Sequence, residues 1–219
     1  MKTVAVVPIK LNNERLPNKN IKPFDNGLPL CHYIFETLKK VNGIDKIYVY
    51  CSNPKIKNFI PEGIEYLKRS ENLDQNTTKI NEVLAAFAKD IPADIYVMTH
   101  ATAPFIKTSS IELGLDAVKN KAFDSAFAVK KIQTFLWKDG KTFNYDLNNI
   151  PRTQDLAPIF EETSGFYIYK QELITKQNCR IGKNPFMVEV NAIESCDIDT
   201  QEDFDIANAL FNQIIRNEK

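Results

Sequence analysis

The chain opens on Thr3-Val4-Ala5-Val6-Val7, a continuous apolar, β-branched run with no polar alternation. A strand of that kind has to be covered on both faces, as in a parallel sheet flanked by helices. A polar, basic loop from Lys10 to Asn20 follows. Then Leu30, Tyr33, Ile34, Leu38 and Val41 recur at helical spacing, with Pro29 suited to a first turn. Lys46 to Cys51 reads as the next strand, completing a strand–helix–strand unit of the right-handed crossover type. The alternation continues. Glu65-Tyr66-Leu67 fits a short strand, and Ile80, Val83, Leu84 and Phe87 an amphipathic helix. Asp94 to Met98 fits a strand. Ser109 and Ser110 suit the cap of a helix carrying Ile111, Leu115 and Val118, and Ser125 to Val129 fits another strand. This order predicts an α/β fold built on a doubly wound, mostly parallel sheet.

The rhythm breaks over 131–160. Phe135 to Lys138 and Lys141 to Phe143 flank Asp139-Gly140, a favoured hairpin turn, and a polar stretch runs on to Phe160. This segment reads as an insertion projecting from the sheet. The pattern returns with Gly165-Phe166-Tyr167-Ile168-Tyr169 and closes on a helix carrying Phe204, Ala207, Leu210, Phe211 and Ile214. Nothing resembling a linker divides residues 1–219, so a single domain is expected.

Charge narrows the function classes. Lys plus Arg and Asp plus Glu number 28 each, which leaves no net field for nucleic acid or a membrane surface. No apolar stretch approaches the roughly 18 residues a membrane span needs, and no signal peptide is evident, so a cytoplasmic protein is expected. Cys31, Cys51, Cys179 and Cys196 are scattered without a C-x-x-C pair, which favours reduced thiols over a metal site.

Ligands of open α/β sheets bind beyond the carboxyl ends of the strands. The first such loop places Lys10, Arg15 and Lys19 among Asn12, Asn13, Asn18 and Asn20. Cations and backbone N–H groups in that arrangement suit a polyphosphate, although a solvated basic loop reads the same way. It is neither a P-loop nor a dinucleotide fingerprint, because it lacks the glycines. Asp197-Ile198-Asp199-Thr200 is the second feature. On an extended segment Asp197 and Asp199 face one side and suit a hard divalent cation, while Asp199-Thr200 also suits a helix cap with Glu202 behind it. Thr99 to Pro104 brings His100 and Thr102 to the sheet's carboxyl end, as an ordinary loop or as a substrate contact. Arg152 precedes a polar stretch, and Gly165 permits close backbone approach.

The joint order of these pieces resembles the acylneuraminate cytidylyltransferases: a basic loop ending Leu16-Pro17-Asn18-Lys19-Asn20, a strand ending at Ser52-Asn53, Thr102-Ala103-Pro104, Gly165 before Tyr167-Ile168, then Asp197-Ile198-Asp199-Thr200. That family includes CMP-sialate synthetases and, more distantly, CMP-Kdo synthetases. The resemblance implies a Rossmann-like domain, with 131–160 as an arm that helps build a homodimer. It implies transfer of CMP from CTP to an acidic, sialic-acid-like 2-keto sugar, with Mg²⁺ and pyrophosphate release. Nucleotide contacts would fall at Pro8, Ile9, Lys10, Leu11, Asn12, Lys19, Asn20, Ser52, Arg69, Thr77 and Thr78. Lys10, Arg15 and Lys19 would hold the triphosphate and carry catalysis. Asp197 and Asp199 would hold Mg²⁺. The acceptor would meet His100, Thr102, Lys107, Arg152 and Gly165, with Arg152, Lys107 and His100 as carboxylate partners in that order. Several positions depart from the family pattern: Lys10 stands for an Arg, Glu14-Arg15 for Lys-Gly, His100 for a Gln, Ile106-Lys107 where an Arg is usual, and Ser164-Gly165 for Asn-Gly. A different base or acceptor, a D-x-D glycosyltransferase and a non-catalytic nucleotide binder remain open readings.

Overall fold

A computed structural model describes residues 1–215, of which Ile214 and Ile215 are described by backbone alone. Strand β1 (Thr3–Pro8) lies between β2 (Lys46–Cys51) and β4 (Ile95–Thr99), parallel to both. The sheet has seven strands in the order β3-β2-β1-β4-β8-β5-β9, where β3 is Glu65–Lys68, β5 Ser125–Ile132, β8 Ile159–Lys170 and β9 Pro185–Glu189. Only β8 among them runs antiparallel to its neighbours. The unalternated apolar run of β1 is covered on both sides, as its composition requires. Ala5 and Val7 pack with Ile34, Phe35 and Leu38 of α1 (Leu30–Lys39) and with Ile111, Leu115 and Val118 of α3 (Thr108–Asn120). Val4 and Val6 pack on the other side, with Val83, Leu84 and Phe87 of α2 (Ile80–Asp90) and Leu173 and Ile174 of α4 (Gln171–Gln177). This is the expected Rossmann-like α/β sandwich.

Chain order reverses between β1 and β4, so the loops leaving those strands part and leave a crevice. Helix α5 (Gln201–Leu210), continued by a wider π turn over Phe211–Ile215, closes the crevice's outer side. Its Phe204, Ala207 and Phe211 form a third cluster with Leu16, Phe24, Phe105 and Ile198. That cluster fixes the basic loop and the Asp-Ile-Asp segment against each other. Leu210 packs at its margin, and the side chain of Ile214 lies outside the described residues.

The break in rhythm is a real excursion with tighter limits than 131–160. Lys131 and Ile132 still pair with Phe160 and Ile159, so the segment outside the sheet is 133–158. It carries the hairpin of β6 (Trp137–Lys138) and β7 (Lys141–Thr142), where Asp139 and Gly140 both take positive φ, at 50° and 74°. That is the turn geometry an Asp-Gly pair favours. Its base is held by Gln133, whose amide donates to the carbonyls of Gln154 and Leu156 at 3.0 and 2.9 Å.

The start of α3 differs from expectation. Thr108 is its first residue and Lys107 the cap, so Ser109 and Ser110 lie inside the helix. The capping acceptor comes from far along the chain. Buried Glu194 accepts from the Lys107 N–H at 3.2 Å and from the Ser110 hydroxyl at 2.6 Å. A carboxylate at a helix N-terminus is favoured by the free N–H groups and the helix dipole. It also ties the segment leading to Asp197 onto the start of α3. Glu194→Ala is therefore expected to cost about 1–3 kcal/mol of stability, read as a lowered urea midpoint. An unchanged midpoint would show that this tie is not used.

Candidate active site

Three adjoining hollows line the carboxyl ends of β1, β2 and β4. The first, about 530 Å³, is bounded by Leu11, Asn12, Ser52, Pro54 and Asp74. The second, about 180 Å³, lies among Lys10, Asn12, Arg15, Lys19, Asn76 and Asp199. The third, about 270 Å³, is walled by Pro8, Asn20, His100, Thr102, Ser164 and Asp197, and shares Lys10, Lys19 and Asp199 with the second. Together they form one groove from β2 across β1 to β4.

The basic loop is shaped by its own polar groups. Asn20 donates to the Lys10 carbonyl at 2.8 Å, folding the loop back on itself. Lys10 Nζ donates to Asn76 Oδ1 at 2.7 Å, and the Asn76 amide donates to Glu14. Lys19 is almost wholly buried and stands 2.9 Å from Asp199 Oδ1; the Arg15 guanidinium, largely exposed, reaches the same oxygen at 2.9 Å. Desolvating a lysine without a counter-charge is costly, so Asp199 is what lets Lys19 sit there.

Between the two aspartates, Ile198 is fully buried and donates its N–H to the Thr102 carbonyl at 3.0 Å. With Ile198 turned into the protein, Asp197 and Asp199 both face the third hollow, as the i, i+2 reading requires. The helix-cap reading also holds, but through the next residue. Thr200 caps α5 in a reciprocal box with Asp203, leaving the Asp199 carboxylate free for the groove. Asp197 Oδ1 is buried and without a hydrogen-bond partner among the described residues. A buried carboxylate oxygen in that state suits a cation. Two carboxylates suit Mg²⁺ in particular, which takes few protein ligands and completes its shell with phosphate and water. Among the described residues no cluster of three or more His, Cys, Asp or Glu forms a closed metal cage.

Several predicted contacts fall elsewhere. Ile9 is a core residue, its side chain packed with α1 and its N–H bound to the Tyr50 carbonyl. Arg69 is buried behind the first hollow, its guanidinium committed to Asp74, which also accepts from Ser52. Asp74 and Ser52 face the hollow in its place. Thr77 and Thr78 do not line the groove, whereas neighbouring Asn76 does. Lys107 is exposed at the α3 cap, and Arg152 sits on the arm, paired with Asp155 at 2.7 Å. Gly165 faces inward. A Cβ there would lie 2.5 Å from Ile106 Cδ1 and 3.3 Å from Ala128 Cβ, so its close approach is to the protein's own core. Each of these positions depends on which way the backbone turns, which neighbouring residue types do not reveal. Cys31 and Cys196 are pushed up to about 12 and about 11 by burial, which keeps them protonated and unreactive.

His100 does line the third hollow, and desolvation by the surrounding protein holds its imidazole down at about 4, against the pull of Asp197. It is neutral at pH 7. Because its folded value lies below the unfolded 6.5, it adds stability fully present above pH 6.5 and lost as pH falls toward 4. For metal-free protein, His100→Gln is expected to flatten stability between those values, removing a loss of up to about 3 kcal/mol. Denaturant midpoints at stepped pH read this directly; parallel profiles for both proteins would contradict it.

Comparison with known proteins agrees with this geometry. The family model described as Cytidylyltransferase matches residues 4–219. The 3-deoxy-manno-octulosonate cytidylyltransferase 2 of Hydrogenovibrio crunogenus is 28% identical over 134 residues, covering 60% of this chain and 53% of that protein. The 8-amino-3,8-dideoxy-manno-octulosonate cytidylyltransferase of Shewanella frigidimarina is 23% identical over 188 residues, covering 78% and 72%. The N-acylneuraminate cytidylyltransferase of Streptococcus agalactiae serotype III is 21% identical over 232 residues, covering 100% and 56%. The chain thus spans little more than half the length of two of these three relatives. In fold, it superposes on a CMP:2-keto-3-deoxy-manno-octonic acid synthetase complexed with CTP at a TM-score of 0.75, with 17% identity and coverage of 97% of this chain and 99% of that one. With the family model spanning nearly the whole length, the chain belongs to the cytidylyltransferase family.

Proposed function

We propose that this protein transfers CMP from CTP to the hydroxyl of an acidic 2-keto sugar and releases pyrophosphate. The observation that carries the reading is the groove itself. Lys10, Arg15 and Lys19 face Asp197 and Asp199 across a continuous space, at the switch point of a cytidylyltransferase fold. The first hollow has the room and the mixed lining a nucleoside needs. The second gathers cations for a triphosphate. The third, next to the aspartates, is left for the acceptor.

The protein's part in such a transfer is to hold the acceptor hydroxyl in line with the α-phosphorus and to offset charge spreading onto phosphate oxygens. Lys19 is suited to the second task, because a nearly buried ammonium acts in a low dielectric. Arg15 and Lys10, at the groove's open side, suit the outer phosphates. Mg²⁺ held by Asp197 and Asp199 would supply charge neutralisation at the phosphates and favour the ionised acceptor hydroxyl. Neutral His100 with Thr102 and Ser164 offers hydrogen bonds to an acceptor. Sialic, pseudaminic and Kdo-type acids all fit this description, and a sialic-acid-like acceptor is the preferred member. The arm exposes Trp137, Phe143, Leu147 and Ile150, which supports its use in a homodimer.

Pyrophosphate release from four nucleotides against a panel of 2-keto sugar acids tests the reading. CTP with a 2-keto acid is expected to give magnesium-dependent release. CTP binding with no release across the panel would point to a non-catalytic binder, and consumption of a nucleotide-sugar to a glycosyltransferase. Lys19→Ala is expected to lower kcat by about 10²-fold or more. Near-normal turnover would take Lys19 out of the mechanism. Asp197→Asn and Asp199→Asn are each expected to raise the half-saturating magnesium concentration by about tenfold or more. Superimposable magnesium titrations would sink the metal assignment.

A further inference from the structure

Beyond the β4 loop lies a cation with poor compensation. Arg180, in the turn between α4 and β9, lays its guanidinium 4.1 Å from the centre of the Tyr167 ring. Its side chain is 22% exposed. The ion partner is Glu162, at a long 3.4 Å, and that carboxylate also accepts the Tyr167 hydroxyl at 2.6 Å. Arg180 Nε is buried and has no hydrogen-bond partner among the described residues. A guanidinium carries five N–H donors. A largely desolvated one with a long ion pair and an unpaired Nε is under-satisfied, and such a group suits an anion.

Its location says which anion. Tyr167 pairs across the sheet with Met98, and Thr99 with Phe166, so Arg180 stacks beside the strand end that launches His100. Glu162 and Tyr167, the two residues that hold Arg180, flank Ser164 on β8, and Ser164 lines the third hollow. Arg180 therefore stands beside the β8 wall of the third hollow. Inside that hollow Lys10 and Lys19 are matched by Asp197 and Asp199. An incoming triphosphate claims the two lysines, and an acceptor carboxylate then needs another positive charge. The imidazole of His100 is neutral, and Lys107 and Arg152 lie away from the groove.

We propose that Arg180 is the residue that selects an anionic acceptor, its charge being the counterpart of the carboxylate bound against His100 and Ser164. Tyr167 and Glu162 hold the guanidinium in place through its stacked face and one edge, and leave its partly exposed side for the ligand. Neutral analogues lose this interaction, so Arg180 sets specificity rather than rate. The inference rests on the nucleotidyl-transfer reading above and deepens it.

The test compares the 2-keto sugar acid that the wild-type protein turns over best with its carboxamide. Wild-type protein is expected to favour the acid by about 10²-fold in kcat/KM. Arg180→Met, which keeps the stem over Tyr167, is expected to raise KM for the acid by about 10- to 100-fold. KM for CTP and turnover of the carboxamide are expected to stay unchanged, so the preference collapses. Arg180→Lys, which keeps the charge, is expected to restore part of it. Equal thermal midpoints confirm that the variants are folded; if Arg180→Met does not fold, Arg180→Lys and Glu162→Gln carry the comparison, with the acid preference expected to shift in both. A preference that persists unchanged in every folded variant overturns the assignment of Arg180. Absence of pyrophosphate release by wild-type protein with every acceptor would overturn the functional reading instead.

Discussion

The ion pair between Lys19 and Asp199 is the constraint around which the rest of the site is arranged. An ammonium as buried as that of Lys19 needs an opposite charge at contact distance, and Asp199 provides it at 2.9 Å from 180 residues further along the chain. The first loop and the last loop are thereby joined over the mouth of β1. The apolar cluster of Leu16, Phe24, Ile198 and Phe204 does the same work on the side away from the groove. Burying side chains of that size contributes about 1.5–3 kcal/mol each, which outweighs what one ion pair returns after desolvation. The cluster holds the loops together, and the pair sets how they face each other.

That division explains why the two-aspartate segment is extended and still rigid. Ile198 is anchored to the β4 loop by its N–H and to α5 by its side chain. Its neighbours on either side are then forced outward into one cavity. Thr200 closes the helix with its own hydroxyl, so neither aspartate is spent on capping. Sequence spacing foresaw the shared face and the helix start because both depend on local backbone geometry alone.

Legibility in the sequence follows the same line. The sheet, its flanking helices and the hairpin arm were readable because apolar periodicity and the Asp139-Gly140 turn act over a few residues. The basic loop and the Asp197–Asp199 pair were readable because they sit next to strand and helix ends. Arg69, Thr77 and Thr78 were not, since the segment before α2 is irregular and its turns put Asp74 and Asn76 on the groove side. Gly165 read as an opening for a ligand, yet the opening is filled by Ile106, whose position depends on a loop after a different strand. Arg180 gave no signal, because its setting is made by an antiparallel strand, a ring face and a carboxylate brought together only by the tertiary fold.

Lys10, Arg15 and Lys19 each have a partner within the groove, while Asp197 Oδ1 has none among the described residues. Asp199 accepts from Lys19 and Arg15, and Lys10 rests on Asn76, itself held by Glu14. In the proposed transfer, a triphosphate entering with a divalent cation would exchange partners: the cations would turn to phosphate, and the carboxylates to the metal. Solvent-exposed Arg15 gives up little in leaving Asp199, since exposed ion pairs are worth about 1 kcal/mol or less. Lys19, nearly buried and paired with Asp199, would stay between Asp199 and the incoming phosphate. Lys19 is thus both the most buried of the groove's three cations and fixed by an ion pair. That combination is what charge stabilisation during a transfer asks for, because a donor already in place need not reorganise as the charge develops.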